Sequence, residues 1–286
     1  MIHVGLTGWS DHPEVYSPSS KQNKLQDYSG NFPVVEVDTS FYAIPPKRNT
    51  YKWIEETPES FQFVVKAYQG ITGHHRGELP FANEEEMFHL FEESMMPFLE
   101  VGKLAMILLQ FPPWFDCKKE NVDRIRFLLE RFEKFPVAIE FRHQSWYYPE
   151  YETKTLQFLE ELGAIHSVCD EPQAGEGSIP LVPIATSTEH VLVRLHGRNL
   201  HGWRNPGNEH NWREVRYLYD YNKEELQEIS EMLQLLQKQA ERVTVLFNNN
   251  SGGHAANNAK QLMKLMNIHY NNLAPKQLNL FEGDFF

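Results

Sequence analysis

The chain has 286 residues, with 27 Lys and Arg against 39 Asp and Glu and a net charge of −12; it is long enough to bury roughly three quarters of its unfolded surface in one large domain or two small ones. So acidic a chain is not a dedicated duplex-DNA binder, whose phosphate contacts draw on clustered cations, although a local cationic pocket stays compatible with it. No segment reaches about 18 uninterrupted apolar residues, which excludes a membrane-spanning helix, and Cys117 and Cys169 lie outside any metal-ligand spacing such as CxxC and read as reduced core residues.

In chain order, "MIHVGLTGWS" runs straight into a strand-like segment from Ile2, without the basic and long apolar regions of a signal peptide, so the expected location is cytoplasmic. Seven further runs follow: "VVEVDTS" from Val34, "FQFVVKA" from Phe61, "LAMILLQ" from Leu104, "VAIEFR" from Val137, "AIHSVCD" from Ala164, "HVLVRLH" from His190 and "RVTVLFN" from Arg242. Helix-like stretches separate them, including "NEEEMFHLFEESMMPFLEVG" and "NKEELQEISEMLQLLQKQAE", the second with Asn222 at the capping position. Strand then helix, eight times over, predicts an α/β fold: a single (β/α)8 TIM barrel over residues 1–269, followed by a tail, 270–286. A doubly wound open sheet is the alternative, but the turn after the first strand, "SDHPEVYSPSSK", lacks the GxGxxG signature.

Residues two apart on a strand share a face. One face carries Val35, Val37, Val65, Ala67, Ile139, Phe141, Val193, Leu195, Val245 and Phe247, suited to packing under outer helices. The other carries Glu36, Asp38 and Ser40, then Lys66, Gln110, Glu140 with Arg142, Asp170, Arg194 with His196, and Asn248 with Asn250. Inward-facing charges are costly unless paired or solvated, and these come at the C-terminal ends of seven strands, where barrel active sites are built. A polar pocket at the barrel mouth is the economical explanation.

Within that set, Lys66, Arg142 and Arg194 suit an anionic group, and Glu140, His143, Asp170 and His196 are the candidate acids and bases. Trp9, Glu36, Asp38, Gln110, Asn248 and Asn250 complete the expected substrate-facing residues. Aromatics at Trp9, Trp114 and Trp146 more often pack than stack on a ligand, His166 reads as a core histidine, and His74 and His75 read as solvent-exposed in a Gly-flanked loop that is well placed as a lid. Glu140 with Arg142 or Arg194 has a purely structural reading, a buried ion pair. Glu36, Asp38, Glu140, Asp170 and His196 include donors for a Mg, Mn or Zn ion, but no HxH or HExxH spacing fixes a site, and no ligand set is assigned.

The pieces "LTGWS", "VVEVDTSFYAIP", "FQFVVKA", "LLQFPPWF", "IEFRHQSW", "VLVRLHG" and "LFNNNSGGHAANNAKQL" resemble the YecE-like family, domain of unknown function seventy-two. They run from Leu6 to Leu262, and the resemblance implies a TIM barrel without supplying a reaction. Beyond the last barrel helix, "QLNLF" resembles the bacterial sliding-clamp-binding motif. It implies that Gln277 hydrogen-bonds in one subsite while Leu278, Leu280 and Phe281 anchor the peptide in an apolar pocket; the alternative is that these side chains pack back on the barrel.

The leading expectation is an enzyme that binds an anionic, phosphate-bearing small molecule or nucleic acid at the mouth. A nucleic-acid hydrolase or repair-associated enzyme tethered to the clamp joins the two features. A non-catalytic phospho-ligand-binding module recruited to the clamp is the second reading. A glycoside hydrolase using Glu140 with Glu36 or Asp170 is the third.

Overall fold

A computed structural model describes residues 1–16, 24–204 and 215–275. Eight parallel strands close into a barrel in sequential order: β1 (Ile2–Thr7), β2 (Val34–Val37), β3 (Gln62–Lys66), β4 (Leu104–Gln110), β5 (Val137–Glu140), β6 (Ile165–Asp170), β7 (His190–Leu195) and β8 (Arg242–Phe247). Each lies within or beside the run expected from the sequence. The ring closes where β1 pairs with β8, from Ile2 opposite Val243 to Leu6 opposite Phe247. Gly5 lets β1 approach β2, because a Cβ there would fall 2.1 Å from the Val34 carbonyl oxygen. Among the described residues, no helix is long and apolar enough to cross a membrane.

The helices form where capping and apolar spacing agree. The Asn83 side chain accepts from the Glu86 amide and starts Glu84–Glu100, whose Met87, Phe88, Phe91, Met95 and Phe98 are buried on one face. Asn222 and Glu225 form a reciprocal capping box at the start of Lys223–Leu236, as the sequence predicts.

Outward-facing Val35, Val37, Val65, Ala67, Ile139, Phe141, Val193, Leu195, Val245 and Phe247 all lie in the large core under these helices. The barrel lumen holds a smaller apolar cluster, Val34, Val64, Met106, Leu108, Ala138, Ile165, Leu192 and Leu246 among them. Two residues further along each strand the lumen turns polar, and this is the floor of the mouth.

The last described residues lie at the opposite end of the barrel. The Tyr270 hydroxyl accepts from the Val4 amide (2.9 Å) and donates to the Ile2 carbonyl (3.2 Å), and the Ala274 amide donates to the Ser29 carbonyl (3.1 Å). The chain therefore stays on the barrel through Ala274. Gln277, Leu278, Leu280 and Phe281 lie outside the described residues.

Candidate functional site

At the C-terminal ends of the strands, buried carboxylates and guanidiniums alternate across the lumen. Arg194, from β7, grips Glu36 of β2 with two parallel bonds, Nε to Oε2 at 2.9 Å and Nη2 to Oε1 at 2.7 Å, and reaches Oε2 of Glu140 with Nη1 at 2.6 Å. Arg142 takes the other Glu140 oxygen (Nε to Oε1, 2.5 Å) and donates through Nη1 to Glu171 (2.8 Å). The second Glu171 oxygen accepts from the Ile179 amide at 2.7 Å. Every one of these carboxylate oxygens thus faces a donor, the condition under which buried charges are tolerated.

The network sets its own protonation. Burial alone would raise the Glu140 pKa, but the Arg142 and Arg194 guanidiniums outweigh it and hold the carboxyl at about 2. For Glu171 burial, reinforced by the Glu140 charge, outweighs Arg142, the Ile179 amide and the more remote Arg216, and its pKa rises to about 7. His196, buried and flanked by Arg142 and Arg194, is pushed well below its ordinary range and is neutral. A guanidinium can only donate, so His196 Nε2, 3.0 Å from Arg142 Nη2, is the acceptor. The proton then sits on Nδ1, which meets the Asn248 side-chain amide at 2.9 Å, and the amide oxygen must be the atom facing it.

Above this floor opens a cavity of about 790 Å³, within the range of small-molecule sites. Thr7, Asp38, Lys66, Gln110, Asn248 and Asn250 reach it from the strand ends, and Asp11, Tyr42, His74, Trp114, Arg216 and Tyr217 from the loops. Among the described residues, no carboxylate lies within ion-pair distance of the Lys66 amine, which stands 4.3 Å over the Phe41 ring. Burial and the nearby Arg194 charge draw its pKa down to about 8. Burial and the Glu36 charge raise that of Asp38. His74 lies edge-on to Phe41 and Trp114, accepts or donates with the Thr72 hydroxyl at 2.9 Å, and is held neutral by burial and by Lys66, at about 4.

The structure thus gathers Glu36, Asp38, Lys66, Gln110, Glu140, Arg142, Arg194, His196, Asn248 and Asn250 at one mouth. Three expected residues are elsewhere. Asp170 points to the outer face of β6, where Arg198 Nε and the Tyr221 hydroxyl bond it at 2.9 and 2.6 Å; Ser167, Cys169 and Glu171 take the inward positions instead. His143 caps the short helix Gln144–Tyr147, its Nδ1 accepting from the Ser145 amide at 3.2 Å. Trp9 packs edge-on against Trp53 at 5.3 Å.

Missed altogether were Glu171, Arg216 and Tyr217. Glu171 lies two residues past Cys169 and shares its parity, but the polar outer face of β6 hid that register. Arg216 and Tyr217 sit in the loop after β7, where no periodicity indicates direction; the Arg216 guanidinium lies 3.9 Å over the Trp203 ring.

Two expected chemistries do not fit the floor. The donor atoms of Glu140, Cys169 and His196 converge within 4.8 Å. However, both Glu140 oxygens and His196 Nε2 already face arginine donors, so a divalent ion would displace those bonds and sit between two guanidiniums. A glycoside hydrolase needs a carboxylic acid beside a carboxylate. Glu36 and Glu140 instead share Arg194, Glu140 is ionised far below neutral pH, and Asp170 faces away.

A family model described as protein of unknown function DUF72 matches residues 3–280, and the chain belongs to that family. Among relatives, UPF0759 protein YunF of Bacillus subtilis (strain 168) is 57% identical over 282 residues, covering 98% of this chain and 100% of YunF. UPF0759 protein YecE of Escherichia coli (strain K12) is 28% identical over 156 residues, 54% of each chain. Among solved structures, a DUF72 family protein from Enterococcus faecalis V583 is similar with a TM-score of 0.91 and 41% identity, over 98% of this chain and 100% of that one. A DUF72 family protein from Thermotoga maritima MSB8 follows with a TM-score of 0.78 and 31% identity, over 93% and 99%.

Proposed function

We propose that the mouth is the active site of a cytoplasmic enzyme that takes a small, anionic, phosphate-bearing substrate and works by proton transfer. The observation that carries the reading is Lys66, an amine without a carboxylate partner among the described residues, standing in an open polar cavity above a floor whose own charges are matched. The sequence singled out Arg142 and Arg194 for the anion, but their guanidiniums serve Glu36, Glu140 and Glu171. Among these strand cations the anion's contact therefore falls to Lys66, and the Arg216 guanidinium, stacked on the Trp203 ring, adds positive charge to the lining of the same cavity. Asp38 and Lys66, their pKa values drawn toward each other, are the acid and base available there. A cavity of this volume closed below fits a nucleotide or sugar phosphate and not a duplex. Native mass spectrometry against nucleotides and sugar phosphates tests the reading: retention is expected for the wild type and for His143→Ala, and loss for Lys66→Ala and Arg216→Ala. Equal retention by all four would remove the mouth from consideration, and binding without turnover would favour a phospho-ligand-binding module.

The tail reading is separate. We propose that residues 277–281 recruit the protein to the bacterial sliding clamp. In support, the last described contact of the chain, from Ala274 to Ser29, lies on the side opposite the mouth, so a partner recruited beyond it starts clear of the cavity. A pull-down with purified clamp should retain the wild type and lose the double variant Leu280→Ala, Phe281→Ala; equal retention would end the idea.

A further inference from the structure

We propose that Lys66 is a covalent catalyst, its Nζ forming an imine with an aldehyde or ketone carbon of the phosphate-bearing substrate; this rests on the mouth being the active site. Four observations place the amine for that step. It projects from the last residue of β3 into the cavity, so a bound molecule and the nitrogen share one space. Its backbone is fixed, because the Ser40 hydroxyl is 2.6 Å from the Lys66 carbonyl and 2.7 Å from that of Val37, tying the ends of β2 and β3 together. The Phe41 ring beneath it, at 4.3 Å, carries no hydrogen-bond donor, so nothing on that side occupies the nitrogen lone pair. Finally, the matched guanidiniums of the floor place positive charge near the amine, while the carboxylates that would hold it protonated are engaged elsewhere. An amine so placed is available as a nucleophile at physiological pH, consistent with its pKa of about 8.

The step balances without an oxidant. The nitrogen lone pair attacks the carbonyl carbon, the C=O π pair moves to oxygen, and one of the two N–H protons is transferred to that oxygen. The carbinolamine then loses its hydroxyl as water, which carries off the second N–H proton, while nitrogen forms the C=N bond. Amine plus carbonyl gives imine plus one water, with no change in oxidation level. Asp38, whose pKa is raised by burial and Glu36, lines the same cavity and is the carboxylate that relays these protons from nitrogen to the departing oxygen.

Incubation of the full chain with glycolaldehyde phosphate and sodium cyanoborohydride, followed by peptide mapping, tests this. The borohydride hydride reduces any imine to a stable secondary amine. The expected result is an adduct on Lys66 that forms at least about tenfold faster than on exposed lysines such as Lys52 and Lys118 and saturates with probe concentration. Its rate should be half-maximal near pH 8, and inorganic phosphate should slow it. Asp38→Asn should slow adduct formation while leaving probe binding, read by native mass spectrometry, in place. If the probe binds, and Lys66→Arg still binds it, but no preferential adduct appears, the imine is refuted while the mouth remains the site. If neither binding nor preferential labelling is seen, both fail.

Discussion

Arg194 and Lys66 both point into the lumen from strand ends, β7 and β3, and both are cations enclosed by protein, yet they occupy opposite situations. Arg194 meets two carboxylates through three bonds no longer than 2.9 Å. Lys66 meets an aromatic ring and an open cavity. The guanidinium's fork lets it satisfy Glu36 and Glu140 together, and in doing so sets a positive charge near Lys66 that offsets theirs. What distinguishes structural charge from reactive charge here is partner geometry, and residue type alone does not reveal it.

The comparison is broken most forcefully at Arg194. Arg194→Met strands Glu36 and half of Glu140 in the lumen and should lower unfolding free energy by about 3–5 kcal/mol, read by urea denaturation. A loss under about 1 kcal/mol would mean the floor is hydrated and the contrast with Lys66 false.

Lys66→Met should do the reverse. A lysine whose folded pKa is lowered to about 8 from an ordinary 10.5 is one the fold resists charging. That penalty is constant below pH 8 and is relieved as pH rises from 8 to 10.5, because only the unfolded chain is then still protonated. The variant should therefore be as stable as the wild type at pH 7, or more stable by about 1 kcal/mol, with the difference disappearing above about pH 10.5, while substrate retention is lost.

Glu171 sharpens the comparison from inside the floor. Its folded pKa, about 7, lies above the ordinary value of 4.5. Its contribution is thus complete below about pH 4.5 and is lost as pH rises through 7. Glu171→Gln should remove that decline, so the stability difference between variant and wild type changes by an amount on the order of 1 kcal/mol between pH 4.5 and 7; a parallel pair of curves would show that Arg142 keeps Glu171 ionised throughout.

The smallest effect is expected at Trp114, 51% exposed on the rim. Trp114→Ala should change stability by no more than about 0.5 kcal/mol and weaken binding of a planar or sugar-bearing ligand several-fold, read by titration.

The sequence carried the barrel because β-branched alternation and helical spacing are local signals. It carried most of the floor because Val35, Val65, Ile139, Val193 and Val245 mark the outer face so clearly that their neighbours must point inward. On β6 that logic fails. Its outer face carries His166, bonded to the Tyr147 hydroxyl at 2.9 Å, and Asp170, bonded to Tyr221 and Arg198. With polar groups on both faces, parity is undetermined until partners from distant segments are known, so the sequence points Asp170 inward and leaves Glu171 unmarked. His143 shows the same limit at short range, because its partner is Ser145, two residues on, and a capping histidine looks like a catalytic one in sequence.

The Arg194–Glu36 tie spans 158 residues of chain, and the Arg194–Glu140 tie spans 54. A sheet assembled only from β1 to β6 would contain both glutamates but only Arg142, which reaches Glu140 and not Glu36, so it could not exclude water from its lumen without burying the unmatched Glu36 charge. Dehydration of the lumen is thereby coupled to arrival of the seventh strand. The ring of charges therefore works as a checkpoint on assembly, favouring the closed eight-stranded ring over compact, partly formed alternatives and making the final stage of folding all-or-none.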